Sequence, residues 1–207
     1  MARLLVASRN RKKLAELQRV LDAAGICGLE LLTLDDVPAI AEAPETGATF
    51  EENAIAKARD AFGANRIASL ADDSGIAVAA LNGMPGVLSA RWAGGFGDPD
   101  KDVANYRLLL AQMNDVPNER RGAAFVSVCA LVTGPGADDV VVTRGEWPGV
   151  IAREPLGDSG FGYDPVFIAQ GEARSAAQLS ADEKDAVSHR GRALALMVPA
   201  LRRLVES

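Results

Sequence analysis

Apolar residues recur along the chain in two rhythms. In "ARLLVAS" (residues 2–8) four of them, Leu4 to Ala7, run together as in a buried strand, whereas in "KKLAELQRVLDAAG" (12–25) Leu14, Leu17 and Leu21 fall at helical spacing and Gly25 supplies a stop. A strand, a basic turn and a helix therefore open the chain. "TFEENAIAKARDAF" (49–62) begins with Thr49 and carries Glu52 three residues on, a capping-box signature for a second helix. Asn53 and Lys57 share one face of it. "IASLADDSGIAVAAL" (67–81) reads as a strand broken at Asp-Ser-Gly, and "DKDVANYRLLLAQM" (100–113) as a helix. "AAFVSVCALVTG" and "DVVVTRGEW" flank the turn-forming "PGAD" and predict a hairpin. The last third holds a glycine-rich loop, "GDSGFGYDPVF" (157–167). A helical stretch follows, with Ser180 and Glu183 as a second capping box and Leu194, Val198, Leu201 and Val205 at helical spacing. Strands alternating with helices, plus a hairpin, imply an α/β fold on a mixed sheet.

Composition narrows the classes. With 207 residues, 48% of them hydrophobic, the chain buries a full core as one domain or as two lobes sharing one. A net charge of −6 repels nucleic-acid backbones and anionic membranes, so any polyphosphate must be held by a local basic cluster. Cys27 and Cys129 have neither zinc nor disulfide spacing, and the opening apolar run is too short for a signal peptide. The expectation is a cytoplasmic protein with no nucleic-acid or membrane partner.

Four segments gather polar chemistry. "SRNRKK" (Ser8 to Lys13) ends a strand and starts a helix, where side chains and free N–H groups make an anion cradle; the alternative is a solvated basic turn. Asp72 and Asp73 follow an apolar run, and on a strand they point to opposite faces unless the strand ends between them, which Gly75 permits. A carboxylate in that place suits Mg²⁺ or proton abstraction, or else caps a turn. "GFGYDP" (160–165) matches no phosphate-loop pattern but offers Phe161 and Tyr163 as stacking planes and Asp164 as an acceptor, in a loop that is otherwise a structural turn. "SHRG" (188–191) holds the only histidine, which with Arg190 is either a helix cap or part of a site. Together the four make a receptor for a nucleoside triphosphate and Mg²⁺.

Six ordered motifs, "ASRNRKKLAEL", "ETGATFEENAIAKA", "ADDSGIAVAALNGMPGVLSARWAG", "WPGVI", "GFGYDPVF" and "EKDAVSHRGRAL", make the chain resemble the inosine triphosphate pyrophosphatase family over nearly its whole length. The resemblance implies one pyrophosphatase domain over residues 1–207, a two-lobed α/β fold around a long mixed sheet flanked by helices, a substrate cleft between the lobes, and a homodimer. It implies Mg²⁺-dependent hydrolysis of ITP, dITP and XTP to monophosphate and pyrophosphate. Asp73 becomes the general base and a metal ligand, Glu45 the second metal carboxylate and Asp72 a supporting neighbour. Ser8, Arg9, Asn10, Arg11, Lys12 and Lys13 bind the triphosphate with Lys57 and Asn53, and Ser74 touches substrate beside the metal. Phe161, in its loop with Gly162 and Tyr163, stacks on the base, and Asp164, Lys184, His189 and Arg190 surround the base's polar edge. Arg9 stands where many relatives carry a small residue such as Gly, and a positive φ there would strain it. The competing readings are a pyrophosphatase for pyrimidine or modified triphosphates and a nucleotide sensor without hydrolysis.

Overall fold

The computed structural model describes the chain except for residues 10, 40–42, 181–182, 185–186 and 207 and the side chains of Arg11 and Lys12. Its regular elements are β1 (Ala2–Val6), α1 (Arg11–Ala23), β2 (Leu29–Leu32), α2 (Phe50–Asn65), β3 (Ala68–Val78), α3 (Lys101–Gln112), β4 (Gly122–Val132), β5 (Val140–Ile151), β6 (Phe167–Ala169) and α4 (His189–Glu206). The strands form one six-stranded sheet in the order β2-β1-β3-β4-β5-β6. It is mixed: β1 runs parallel to β2 and β3, and β5 antiparallel to β6. The chain divides into two compact units, the first made of Met1–Asp73, Ser127–Gly145 and Arg190–Ser207, the second of Ser74–Val126 and Glu146–His189.

In the first unit the unbroken apolar run of β1 has its reason in two covered faces. Leu4 and Val6 point one way, into a cluster with Leu17 and Leu21 of α1, Leu70 of β3, Leu131 of β4 and Leu194, Met197 and Leu201 of α4. Leu5 points the other way and packs with Leu32 and Ala61 of α2. α1, α2 and α3 form within three residues of the predicted bounds, whereas the last helical stretch is interrupted at Ser188 and α4 begins at His189. Gly25 takes φ +64° just past α1, and Thr49 caps α2 by accepting from the Glu52 N–H. The Glu52 carboxylate reaches one residue further back than a capping box requires, to the Ala48 N–H. Ser180 and Glu183 make the full reciprocal box, with the Glu183 N–H on Ser180 Oγ and the Ser180 N–H on the Glu183 carboxylate. α4 continues through Pro199.

The second unit closes around aromatic rings. Phe125 of β4 packs edge-on against Phe167 of β6 at 4.7 Å and stacks on His189 at 4.9 Å, with Trp147, Ile151, Leu109 and Met113 around them. Arg121 is 97% buried as a clamp rather than an ion pair: its guanidinium donates to the carbonyls of Met113, Ile151 and Ala152 at 2.6–2.8 Å.

One element differs from the sequence reading. β3 does not break at Asp-Ser-Gly but runs from Ala68 to Val78. Gly75 serves close approach instead of ending the strand: a β-carbon there would lie 2.4 Å from Ser89 Oγ and 2.6 Å from the Gly86 carbonyl. The Ser89 hydroxyl occupies that space, accepting from the Ile76 N–H and donating to the Gly86 carbonyl. Gly75→Ala should therefore lose about 2 kcal/mol of stability through overpacking, which urea denaturation would measure; an unchanged midpoint would show that the Ser89 segment yields freely.

Candidate active site

β1 stops at Val6, whose register partner on β3 is Leu70, so Asp72 and Asp73 stand just beyond the C-terminal end of the β1–β3 pairing. The strand order 2-1-3 makes this the place where an open α/β sheet leaves room for a ligand. Because β3 stays extended, the two carboxylates diverge and acquire separate partners.

Asp72 accepts from Lys13 Nζ at 2.7 Å and from Arg190 Nε at 3.3 Å, and Arg190 also donates to Glu16 at 3.3 Å. α1, β3 and α4 are thereby joined by two carboxylates and two cations. Burial alone would raise the Asp72 pKa, but the Lys13 and Arg190 charges outweigh it and hold the carboxyl below the usual aspartate range. The same carboxylates hold Arg190 above its ordinary value against its own burial. A cavity of about 20 Å³ beside Lys13, Asp72, Cys129 and Arg190 has room for one water and none for a purine.

Asp73 faces α2. Asn53 Nδ2 donates to it at 3.1 Å and Lys57 Nζ at 2.8 Å, and the same ammonium lies 2.5 Å from Glu45. Glu45 is placed by its own segment: the Gly47 N–H donates to Asn53 Oδ1 at 2.8 Å, and a side chain at Gly47 would collide with that oxygen. Burial raises the Asp73 pKa, helped by the Glu45 charge and opposed by Lys57 and Asn53, with a net upward shift. Burial would lower Lys57, but its bonds to Asp73 and Glu45 prevail and keep it charged.

In the second unit the loop 160–164 winds around one carboxylate. Asp164, 98% buried, accepts from the Phe161 N–H at 2.9 Å and from Lys184 Nζ at 2.5 Å. The lysine head stands 5.1 Å from the centre of the Phe161 ring, which is 46% exposed. Gly162 takes φ +61° and donates its N–H to Asp102, while the Tyr163 hydroxyl donates to the Ser89 carbonyl. An exposed aromatic plane with a cation at its face and a buried acceptor behind it suits a heteroaromatic ring.

The sequence profile of the Ham1 family matches residues 4–200. The chain belongs to that family. It is 71% identical over 202 residues to a Mycobacterium tuberculosis protein named dITP/XTP pyrophosphatase, covering 98% of this chain and 96% of that one. The crystal structure of a nucleoside-triphosphatase / dITP/XTP pyrophosphatase from Mycobacterium abscessus superposes with TM-score 0.80 at 61% identity, over 97% of this chain and all of that one. A HAM1 protein from Coxiella burnetii, 39% identical, gives 0.86 over 98% of this chain and all of its own.

Of the residues read from sequence, this Ham1 chain brings Glu45, Asn53, Lys57 and Asp73 into one cluster, Lys13, Asp72 and Arg190 into a second, and Phe161, Asp164 and Lys184 into a third. Ser74 follows Asp73 on β3, and His189 stacks on Phe125. Ser8 is half-buried and Arg9 exposed at the β1–α1 turn. Among the described residues other than glycine only Arg66 and Asn82 have positive φ, so Arg9 carries no such strain. Asn10 and the Arg11 and Lys12 side chains lie outside the described residues. Sequence reasoning missed Glu16, Asp102 and the role of Gly47. Glu16 falls three residues after Lys13, on the same helix face, and that spacing was its signal.

Asp72→Asn should cost about 3 kcal/mol at pH 7 by leaving the Lys13 and Arg190 charges under-compensated. A depressed carboxyl contributes stability above its unfolded pKa and loses it as pH falls through the folded value, so the gap to wild type should close below the ordinary 3.8. Urea titrations at pH 7 and in acid check this; a gap independent of pH would refute the charge account.

Proposed function

We propose that this chain hydrolyses the non-canonical purine nucleoside triphosphates ITP, dITP and XTP to the monophosphate and pyrophosphate, removing them from the pool available for DNA and RNA synthesis. The observation that carries the reading is Asp73, beside Glu45 and joined to it by the Lys57 ammonium, in a chain so close to proteins named dITP/XTP pyrophosphatase. Residues 1–207 act in it as one pyrophosphatase domain.

The donors at Asp73 fit Mg²⁺. Glu45 and Asp73 are hard oxygen ligands, and a cationic group already stands between them as Lys57. Among the described residues no group of three or more acidic, His or Cys side chains is gathered for a metal. That suits an ion which takes most of its ligands from phosphates and water. When bound, Mg²⁺ supplies charge neutralisation at the phosphates and lowers the pKa of nearby water.

Asp73 takes the proton from a water whose oxygen attacks the α-phosphorus; the bond from that phosphorus to the bridging oxygen breaks and pyrophosphate leaves. In the metal-free cluster burial holds the Asp73 pKa above that of an exposed aspartate. Lys57, Asn53, Ser74 and the turn from Ser8 to Lys13 position the triphosphate, with Arg9, Asn10, Arg11 and Lys12 among them. Phe161 stacks on the base in the loop with Gly162 and Tyr163. Asp164, Lys184, His189 and Arg190 surround the base's polar edge, with His189 or Arg190 as the donor to a 6-oxo group; Asp164 holds Lys184, and Asp72 and Glu16 hold Arg190. Adenine presents an amino donor there and would leave these donors unpaired, which can discriminate by factors of about 10⁴. The reading includes a homodimer in the cytoplasm without a nucleic-acid partner. It accords with the net charge of −6, and among the described residues no helix is long and apolar enough to cross a membrane.

With Mg²⁺, purified protein should convert ITP, dITP and XTP to monophosphate and pyrophosphate, with little product from ATP, UTP or dTTP. Diphosphate plus phosphate as products, or a preference for pyrimidines, would overturn the reading. Chelation should stop turnover and added Mg²⁺ restore it. Asp73→Asn should lower kcat by about 10²-fold or more while leaving the circular dichroism spectrum unchanged.

A further inference from the structure

The loop 160–164 is held by more than its own carboxylate. At its centre Gly162 lies at φ +61° with open space where a side chain would be, and Gly160 at φ +85° precedes Phe161, so the exposed ring stands between two backbone positions of wide freedom. Several bonds restrain the segment, the Lys184 grip on Asp164 among them. Asp164 takes the Phe161 N–H, the Tyr163 hydroxyl reaches the Ser89 carbonyl, and the Gly162 N–H donates to Asp102 Oδ2 at 2.8 Å from sixty positions away along the chain. The last comes from α3.

That helix is rigid at the point of contact. α3 is capped by Asp100, whose carboxylate accepts from the N–H groups of Asp102 and Val103, so the Asp102 side chain is not needed as the cap. Asn105 accepts from the Ala93 N–H at 2.8 Å, and Leu109 and Met113 are fully buried in the unit's core. Asp102 therefore projects a half-buried carboxylate from a fixed base onto the one backbone amide that follows Phe161. A hydrogen bond to a charged acceptor is among the stronger restraints available to a loop.

We propose that Asp102 is a positioning residue for base recognition: by fixing the Gly162 amide it sets the plane of Phe161 before substrate arrives. This rests on the reading that Phe161 stacks on the base. Pre-ordering removes a cost of binding, so its loss weakens substrate binding while leaving chemistry at the phosphates intact.

The test is Asp102→Ala beside Asp102→Asn, which keeps an acceptor oxygen, and Phe161→Ala, with two readouts: amide exchange at Gly162 and steady-state kinetics on ITP. Asp102→Ala should expose the Gly162 amide to exchange while Leu109 and Met113 stay protected, raise KM about tenfold and leave kcat within about twofold. Asp102→Asn should restore both. An unchanged Gly162 exchange rate in Asp102→Ala overturns the proposal. So does an unchanged KM in that variant when Phe161→Ala is impaired, because the loop then works without the pin. If neither Asp102→Ala nor Phe161→Ala alters KM, the base-stacking reading itself fails and the positioning role fails with it.

Discussion

Two adjacent carboxylates on an unbroken strand impose the main constraint on the first unit. β3 remains extended through Asp72 and Asp73, so their side chains leave on opposite faces and neither can be matched by the other's partner. A half-buried or buried carboxylate without a cation or donor would sooner take up a proton than stay charged. Each face must therefore bring its own basic groups. α1 and α4 deliver Lys13 and Arg190 to Asp72, with Glu16 balancing the second charge of that pair. α2 delivers Asn53 and Lys57 to Asp73, and the segment before it delivers Glu45. The packing of three helices on this part of the sheet is fixed by charge as well as by the leucines beneath them.

The two carboxylates consequently differ in kind. Asp72 has two cations and a lowered pKa, which makes it a permanent anion and a poor base. Asp73 shares one ammonium with Glu45, and its burial holds its pKa above the ordinary aspartate value. Environment thus separates neighbours in sequence into a carboxylate paired with two cations and one that shares a single cation. The second unit solves a different problem, presenting an aromatic ring to solvent without letting it wander. It does so by winding five residues around the buried Asp164 and anchoring Tyr163 and Gly162 outside the loop.

Much of this was legible from residue order. The leucine spacing of α1, the caps at Thr49 and Ser180 and the stop at Gly25 depend on contacts within a few residues, which is the range over which a sequence pattern speaks. Strand geometry makes Asp72 and Asp73 diverge only where the strand continues, and the sequence reading broke it at Asp-Ser-Gly. Gly75 misled because glycine permits both a strand end and a close approach, and only the Ser89 hydroxyl, fourteen positions on, distinguishes them. The clasp between Gly47 and Asn53 was hidden for a similar reason, since its signal is an empty space facing an oxygen. Asp102 carries no local mark at all: next to an N-cap an acidic residue already has a helix-dipole explanation, and its partner lies in a loop far along the chain.

The charge arrangement also bears on how an acidic protein comes to hold a polyphosphate. Both Lys13 and Lys57 are engaged by carboxylates, so the cluster does not offer bare positive charge to any phosphate backbone. On the proposed reading, a ligand must bring its own countercharge or exchange one partner for another, and a triphosphate accompanied by a divalent cation does both. Glu45 and Asp73 would hold such a cation, and the Lys57 ammonium would then pair with the phosphates. Nucleic acid brings phosphates without a cation placed to replace Lys57, and meets a net charge of −6 besides. On that reading, selectivity for a small metal-bound polyphosphate would arise first from the pairing of charges in the site, before any contact with the base.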